Sequence, residues 1–323
     1  MAAADSAAST PPSSGEAVKE AATKAARASP KATATVAPAT RGTSHRARAR
    51  DNVRMAAVSQ GLLEFANHFR QPGAPGIEVV QTERYRLTLQ PDNPLPGPNS
   101  VTWIRCEGAG ADTVIEEVRG LVAPRRLPVM WILDPQTRPA DFATCLAAHG
   151  VHPEPHSPEV AVMVLGAEAR LEHPPIEGFE IHDALADAQT FRTADAVNAE
   201  SFGESPRGQT PEQLAALERR RHNQIAAGHR RVLLATIEGE PAGSAGLNLY
   251  PPHGAILNGG AVREKFRGRG VYRAMVAARL AMVRESGAPG VSVWGGPMSK
   301  PILARLGFET VGWRRFYPDR SAV

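Results

Sequence analysis

The sequence has few cysteines, few aromatic residues and no long apolar run. Cys106 and Cys145 are its only cysteines in 323 residues, too few for a disulfide framework, so we expect two reduced thiols. No apolar run approaches the ~18 residues that a membrane span requires. No apolar segment of a secretion signal follows Met1, so we expect a cytoplasmic protein without a membrane partner. The composition, with 42% hydrophobic and 22% charged residues, is that of a globular protein.

The first 50 residues contain no aromatic residue, no Leu and no Ile, but 17 alanines. They hold 8 Lys or Arg against 3 Asp or Glu, whereas the remainder holds 29 against 30. Such a segment buries too little apolar surface to offset its ordering entropy, so residues 1–54 are predicted to be a disordered basic tail. A targeting peptide, a weak polyanion-binding arm, a tail without a role, and an extension upstream of a start at Met55 all stay open. The near-neutral remainder argues against nucleic acid as a partner.

From Met55 onward, hydrophobic periodicity and turn residues predict an α/β fold. Residues 55–166 alternate strands and helices in a βαβαβ order, with a strand at 101–106 and helices at 112–122 and 138–149. A polar connector around Pro174 and Pro175 separates them from residues 177–323. This second segment predicts helices at 184–201 and 211–227, then a hairpin and a strand at 255–262. The predicted fold is a mixed twisted sheet with flanking helices, divided into domains at 55–166 and 177–323.

The loop after the strand at 255–262 carries the clearest chemical signal. It leads into an amphipathic helix whose first turn offers unpaired N–H groups and the positive end of the helix dipole, a suitable anion site. Glycines in the loop expose the main chain, and arginines add charge-assisted hydrogen bonds. The loop is therefore predicted to bind a phosphate or diphosphate through Arg267, Gly268, Arg269, Gly270, Val271, Tyr272 and Arg273.

Two common phosphate motifs do not fit this loop. A dinucleotide fingerprint requires a third small residue where Arg273 stands, and a P-loop requires Gly-Lys followed by Ser or Thr. Neither pattern is present, so the loop belongs to another class of anion site.

The order of elements and two motifs resemble the GNAT superfamily of N-acetyltransferases. Arg267-Gly-Arg-Gly-Val-Tyr272 is similar to motif A, with Tyr272 in place of the last Gly or Ala, and Ser299-Lys-Pro-Ile-Leu-Ala-Arg-Leu-Gly-Phe308 is similar to motif B. The resemblance covers about 145 residues. It implies the acyl-CoA N-acyltransferase fold and acetyl-CoA as co-substrate. A primary amine would attack directly in a ternary complex, and we expect a small or amino-acid-like acceptor.

The resemblance also implies roles for particular residues. The strand at 255–262 would bind the pantetheine arm through its backbone, and Gly259-Gly260 would form a bulge that opens a slot beside it. Amides near Ala261 and Val262 would polarise the thioester carbonyl.

The sequence departs from the superfamily at two of its usual active-site positions. The superfamily often has a Tyr acid where this sequence has Leu303, and an Asn where it has Gly296. Ser299 and Glu200 are the candidate catalytic residues, with Glu204 beside Glu200 as a further base; Ser299 equally fits a helix cap. An acyl-CoA-binding regulatory protein without turnover is the alternative.

Residues 55–166 resemble the back half of the same fold but lack its loop. Glu107-Gly-Ala-Gly-Ala-Asp112 places carboxylates where a diphosphate would bind, so this segment is predicted to be a degenerate GNAT-like domain. Cys145, His149, His152 and His156 lack the tight pairing of a structural zinc site, and no metal site is predicted.

Overall fold

The computed structural model describes residues 58–323, except Phe202, Glu204 and Pro206. The predicted disordered tail and the predicted start at Met55 lie outside the described residues. The helices of the described part are α1 (Gln60–His68), α2 (Ala111–Val122), α3 (Phe142–Ala148), α4 (Ala188–Ser201), α5 (Pro211–Ala227), α6 (Val271–Ser286) and α7 (Lys300–Arg305). Its strands are β1 (Glu78–Gln81), β2 (Arg86–Leu89), β3 (Ser100–Thr102), β4 (Val129–Leu133), β5 (Glu159–Gly166), β6 (Phe179–Asp183), β7 (Arg230–Ile237), β8 (Glu240–Tyr250), β9 (Gly254–Val262), β10 (Gly290–Gly295) and β11 (Glu309–Asp319).

These strands form one mixed sheet in the order β1-β2-β3-β4-β11-β5-β10-β9-β8-β7-β6. The pairs β3–β4 and β9–β10 are parallel, and the other neighbours are antiparallel. A βαβ crossover joins each parallel pair, through α2 and α6 respectively. The predicted mixed sheet with flanking helices is confirmed.

The centre of the sheet contains an exchange of strands between the two predicted segments. The strand β11 ends the chain, yet it lies between β4 and β5 of the first segment. In turn, β5 lies between β11 and β10, with Met163 opposite Thr310 on one side and Val293 on the other. The β5 side chains Val162, Met163 and Val164 are buried. Each segment thus completes the other's sheet, and residues 58–323 belong to one compact unit. The domain limits at 166 and 177 stay a prediction.

Helices cover both faces of the sheet around β7 to β10. On one face, which we call the α6 face, Met275 packs with Ala245, and Val276 and Leu280 pack with Leu247. On the opposite face, the α4 face, the buried residues of α4 and α5 pack with Val232 and Leu234. Successive residues of a strand point to opposite faces. Gly246 and Asn248 therefore face α4 while Ala245 and Leu247 face α6.

Three predicted elements are shorter than expected, each for a local reason. The strand at 101–106 ends at Thr102 because Trp103 has a left-handed backbone, with φ of 52°. The helix at 138–149 begins only at Phe142, since the main chain of Arg138 pairs with Ile104 and Cys106. The helix at 184–201 begins at Ala188, where the Asp187 carboxylate accepts the amide hydrogen bond of Thr190 at 2.8 Å.

The strand exchange predicts that residues 177–323 do not fold alone. Without β4 and β5, β11 would lose both of its neighbours and β10 one of its two, which exposes unpaired edges and the apolar faces around them. We expect this fragment to aggregate or to show no cooperative thermal unfolding. Co-expression with residues 58–176 should give a soluble complex of the two.

The matched control is the whole chain cut only in the exposed stretch 172–175 of the connector, which should keep its cooperative transition. A monomeric 177–323 fragment that unfolds cooperatively would contradict this account.

Candidate functional site

A gap opens in the sheet between β9 and β10. The two strands pair only where Ala255–Leu257 lies beside Val291–Val293. Beyond that point β9 contains a bulge: Gly246 of β8 pairs with Asn258 and Ser244 pairs with Ala261, which leaves Gly259 and Gly260 opposite one residue. The predicted bulge is therefore present at the predicted glycines, just beyond Leu257, the last residue of β9 that pairs with β10.

The bulge requires glycine because side chains approach it from both faces. Gly259 has φ of +49°, and a Cβ there would lie 2.8 Å from Asn198 Nδ2 on α4. A Cβ on Gly260 would lie 2.8 Å from Tyr272 Cε2 on α6. The bulge is thus the place where groups from the α4 face and from the α6 face come nearest to each other.

The main chain after the bulge presents a free edge to the gap. The amide of Arg263 donates to the carbonyl of Ala242 at 3.0 Å, so Gly243 and Val262 form a non-hydrogen-bonded antiparallel pair. The peptide groups of Val262 consequently point away from β8: its amide faces the gap, and its carbonyl accepts a hydrogen bond from Arg267 Nε at 3.3 Å. Those of Ala261 point toward β8. Of the two amides expected to contact the thioester, only that of Val262 therefore faces the gap.

The predicted anion loop lies at the end of β9 and adopts an open cradle. Gly268 and Gly270 have φ of +78° and +87°, and α6 begins at Val271. A Cβ on Gly268 would meet nothing within 4 Å, so backbone conformation rather than space favours glycine there. Amides of Phe266, Arg267 and Ala274 bond within the loop. Those of residues 268–273 have no hydrogen-bond partner in the described part of the chain and are available to an anion.

Positive charge surrounds this cradle. Arg267, Arg269 and Arg273 are exposed, and none forms an ion pair with another described residue. By contrast, the neighbouring cations Arg263 and Lys265 pair with Glu200 and Glu240. Three guanidinium groups therefore have donors available for a diphosphate, Arg267 through its Nη atoms because its Nε donates to the Val262 carbonyl.

The two candidate catalytic residues lie on opposite sides of the gap. Glu200 lies in the last turn of α4, and its exposed carboxylate accepts a hydrogen bond from Arg263 Nε, just after β9, at 2.9 Å. Ser299 follows β10 and precedes α7; its Oγ lies 3.5 Å from the Gly296 carbonyl and does not cap the helix. Leu303 is fully buried in the core beneath α6 and carries no proton-transfer group. Glu204 lies outside the described residues.

Sequence reasoning missed Arg279, which supports the bulge from the α6 face. Its side chain is 1% exposed, and burial lowers its pKa to about 10. Its Nε donates to the Met275 carbonyl and its Nη1 to the Gly246 carbonyl, both at 3.0 Å. The four-residue spacing Val271, Met275, Arg279 was the available signal, because it places an arginine on the buried stripe of α6.

A second missed group occupies the α4 face beside the bulge. Arg230 donates to Asn248 Oδ1 at 2.8 Å, and its guanidinium lies across Gly246, where a Cβ would collide with it. Close by, Asp195 on α4 binds both Arg207 and Arg220. The sequence signal for Arg230 was its position in the strand: Arg230, Val232 and Leu234 are alternate residues and share one face, so an arginine begins a row of apolar side chains.

The corresponding region of the first segment is closed. The parallel pair β3–β4 ends at Val101 and Trp131, but the chain beyond it is held together. The Cys106 amide donates to the Arg138 carbonyl and the Arg138 amide to the Ile104 carbonyl, both at 3.1 Å. The first turn of α2 carries Asp112, whose carboxylate lies 2.9 Å from His149 Nε2. Neither an open gap nor a positive cradle is present at this position.

Within residues 58–323 as described, no group of three or more His, Cys, Asp or Glu side chains is arranged to hold a metal ion. Nor does any described helix combine the length and apolar character needed to cross a bilayer.

Comparison with known proteins agrees with this geometry. Residues 196–308 match the Acetyltransferase (GNAT) family. A GCN5-related N-acetyltransferase from Kribbella flavida has a similar structure, with 16% identity and a TM-score of 0.54 over 76% of this chain and 90% of that one. A tandem GNAT protein from the clavulanic acid biosynthesis pathway has 16% identity and a TM-score of 0.52 over 77% and 85% of the two chains. No curated protein matches the sequence significantly.

At these identities the structural likeness shows the fold, while the family match rests on the sequence itself. The match includes the bulge, the cradle and the motif that ends in Leu306-Gly-Phe308. The predicted resemblance is confirmed over residues 196–308, which match the GNAT acetyltransferase family.

Proposed function

We propose that the protein transfers the acetyl group of acetyl-CoA to a primary amine by direct attack in a ternary complex. The observation that carries this proposal is the joint position of a free-amide cradle and a gap between two parallel strands. Diphosphate would bind the amides of residues 268–273 with Arg267, Arg269 and Arg273. The pantetheine arm would then extend along the free edge of β9 at Val262, which places the thioester near the bulge.

The reaction needs a site that stabilises negative charge on the thioester oxygen. The amine nitrogen attacks the carbonyl carbon, the C–S bond breaks, the amine loses a proton and the departing thiolate gains one. The Val262 amide faces the gap and is the candidate donor to the oxyanion. Glu200 and Ser299, on either side of the gap, are the candidates for moving protons, with Glu200 acting through water.

A second candidate function is an acyl-CoA-binding regulatory protein without turnover. Leu303, buried where the superfamily often has its tyrosine acid, favours it, as does the ion pair between Glu200 and Arg263. Thiol release from acetyl-CoA with a broad panel of amines distinguishes the two functions. Tight CoA binding without turnover on the whole panel would favour the regulator.

Substitution of Gly270 tests the cradle. In Gly270→Glu, a side chain at φ of +87° strains the turn and a carboxylate opposes the diphosphate. Loss of one or two charge-assisted hydrogen bonds should raise the Kd for CoA by about 10- to 100-fold in calorimetry.

Gly287→Ala is the matched control, because Gly287 has φ of +76° at the other end of α6. It should lower the free energy of unfolding without changing the Kd for CoA. Equal Kd values for wild type and Gly270→Glu would refute the cradle.

Substitution of the two candidate proton-transfer groups tests their roles. If Glu200 acts as base, Glu200→Gln should lower kcat by about 10²- to 10⁴-fold while CoA affinity is unchanged. Ser299→Ala, on the other side of the gap, is measured in parallel. An unchanged kcat in either variant removes that residue from the mechanism.

The closed gap in the first segment predicts one cofactor site per chain. Calorimetry on the full-length protein should give a stoichiometry of one CoA, and Asp112→Arg should leave it at one. A stoichiometry of two would mean that residues 55–166 also bind the cofactor.

A further inference from the structure

Three arginines lie close together on the α4 face, between α4, α5 and β7. They are Arg207, Arg220 and Arg230, and we call them the arginine cluster. Asp195 is 8% exposed, and its carboxylate accepts hydrogen bonds from Nε and Nη2 of Arg207 at 3.0 and 2.6 Å. It also accepts Nη2 of Arg220. Arg230 donates instead to the neutral amide of Asn248 at 2.8 Å. Asp195 thus pairs with two of the three guanidinium groups, and Arg230 has no carboxylate partner among the described residues.

The positive charge of the cluster is not balanced within the described part of the chain. Asp92, the other carboxylate that acts on Arg220, is paired with Arg219 at 2.6 Å. Arg220 is 9% exposed, and its buried Nε has no hydrogen-bond partner among the described residues. Burial, reinforced by the charges of Arg220 and Arg279, lowers the pKa of Arg230 to about 10.

An unpaired buried cation is costly, typically several kcal/mol, unless an anion joins it. Structural arginines in proteins usually satisfy this requirement with their own carboxylates, as Asp195 does for Arg207. The donors left over on Arg220 and Arg230 are therefore suited to an anion from outside the chain.

The cluster also lies beside the proposed reaction centre. The guanidinium of Arg230 lies across Gly246, and Gly246 pairs with Asn258, the last residue before the bulge. Neighbouring strands are about 4.8 Å apart, so Arg230 lies roughly one strand spacing from the point where β9 leaves β10. Asn198 reaches Gly259 from the same face.

We propose that the acceptor amine carries an anionic group, a carboxylate or a phosphate, which binds Arg230 together with Arg220. This inference rests on the proposed transferase function and names its substrate class. The planar guanidinium fork matches both anions in a bidentate manner. The short separation between Arg230 and the bulge fits an acceptor whose anion lies two to four bonds from its amine, such as a small amino acid.

The test compares amines that differ only in the anion, using the full-length protein and thiol release from acetyl-CoA. The pairs are glycine and methylamine, β-alanine and ethylamine, and phosphoethanolamine and ethanolamine. The anionic member should have a kcat/KM about 10- to 100-fold higher. The carboxylate and phosphate pairs distinguish the two anions. Arg230→Met should remove the preference by lowering only the rates of the anionic members.

The matched control is Arg231→Met. Arg231 follows Arg230 on the same strand but points to the other face, where it donates to the main-chain carbonyls of Gly228 and Arg230 at 2.8 Å. It should keep the full preference. Arg230→Lys, which keeps the charge but loses the fork, should show an intermediate preference and guards against misfolding of Arg230→Met.

Binding of CoA is measured first for every variant, so that two failures can be told apart. Wild type that does not bind CoA would refute the proposed function itself. Wild type that binds CoA but turns over both members of each pair equally would refute the acceptor inference, as would equal losses for both members in Arg230→Met.

If none of these amines is acetylated, product analogues replace them. N-acetylglycine, but not N-methylacetamide, should raise the Tm of the CoA-saturated protein, and Arg230→Met should abolish that shift. Equal shifts with both compounds, or a shift with neither, would overturn the inference.

Discussion

The separation of β9 from β10 is the constraint on which the functional architecture depends. Parallel strands keep their hydrogen bonds unless something diverts one of them, and here two adjacent glycines add a residue to β9 opposite β8. The diversion frees the amide of Val262 and brings Asn198 and Tyr272 to the two sides of the bulge. A side chain at either glycine would displace one of these neighbours, so the opening and its lining are specified together.

The first half of the chain supports this opening rather than duplicating it. Every residue of β10 pairs with β5. The strand β10 therefore stays in the sheet beyond the point where β9 leaves it. On the other side of β5 lies β11, which carries the chain back to β4. The equivalent position in the first half is closed by the main chain of Arg138. The second half thus contributes the open gap, and the first half contributes the strand that holds β10 beside it, which is a physical basis for keeping both in one sheet.

Local features were predictable from the sequence, and features set by long-range pairing were not. The glycine cradle, the bulge at Gly259-Gly260 and the capped helix at Pro211–Ala227 follow from residues close together in the chain. The exchange of β5 and β11 depends on pairing between residues about 150 positions apart. Nothing in the alternation of either strand specifies its neighbour. Arg220 and Arg230 lie on different elements, and only the fold brings them near each other.

The central claim is that the free amides of the cradle and of Val262 bind CoA. Hydrogen exchange resolved to single amides, with and without CoA, tests it most directly. The account predicts slower exchange at residues 268–273 and at Val262, and no change at residues 107–112 of the first half. Unchanged exchange at 268–273 in saturating CoA, or protection at 107–112 instead, would contradict it.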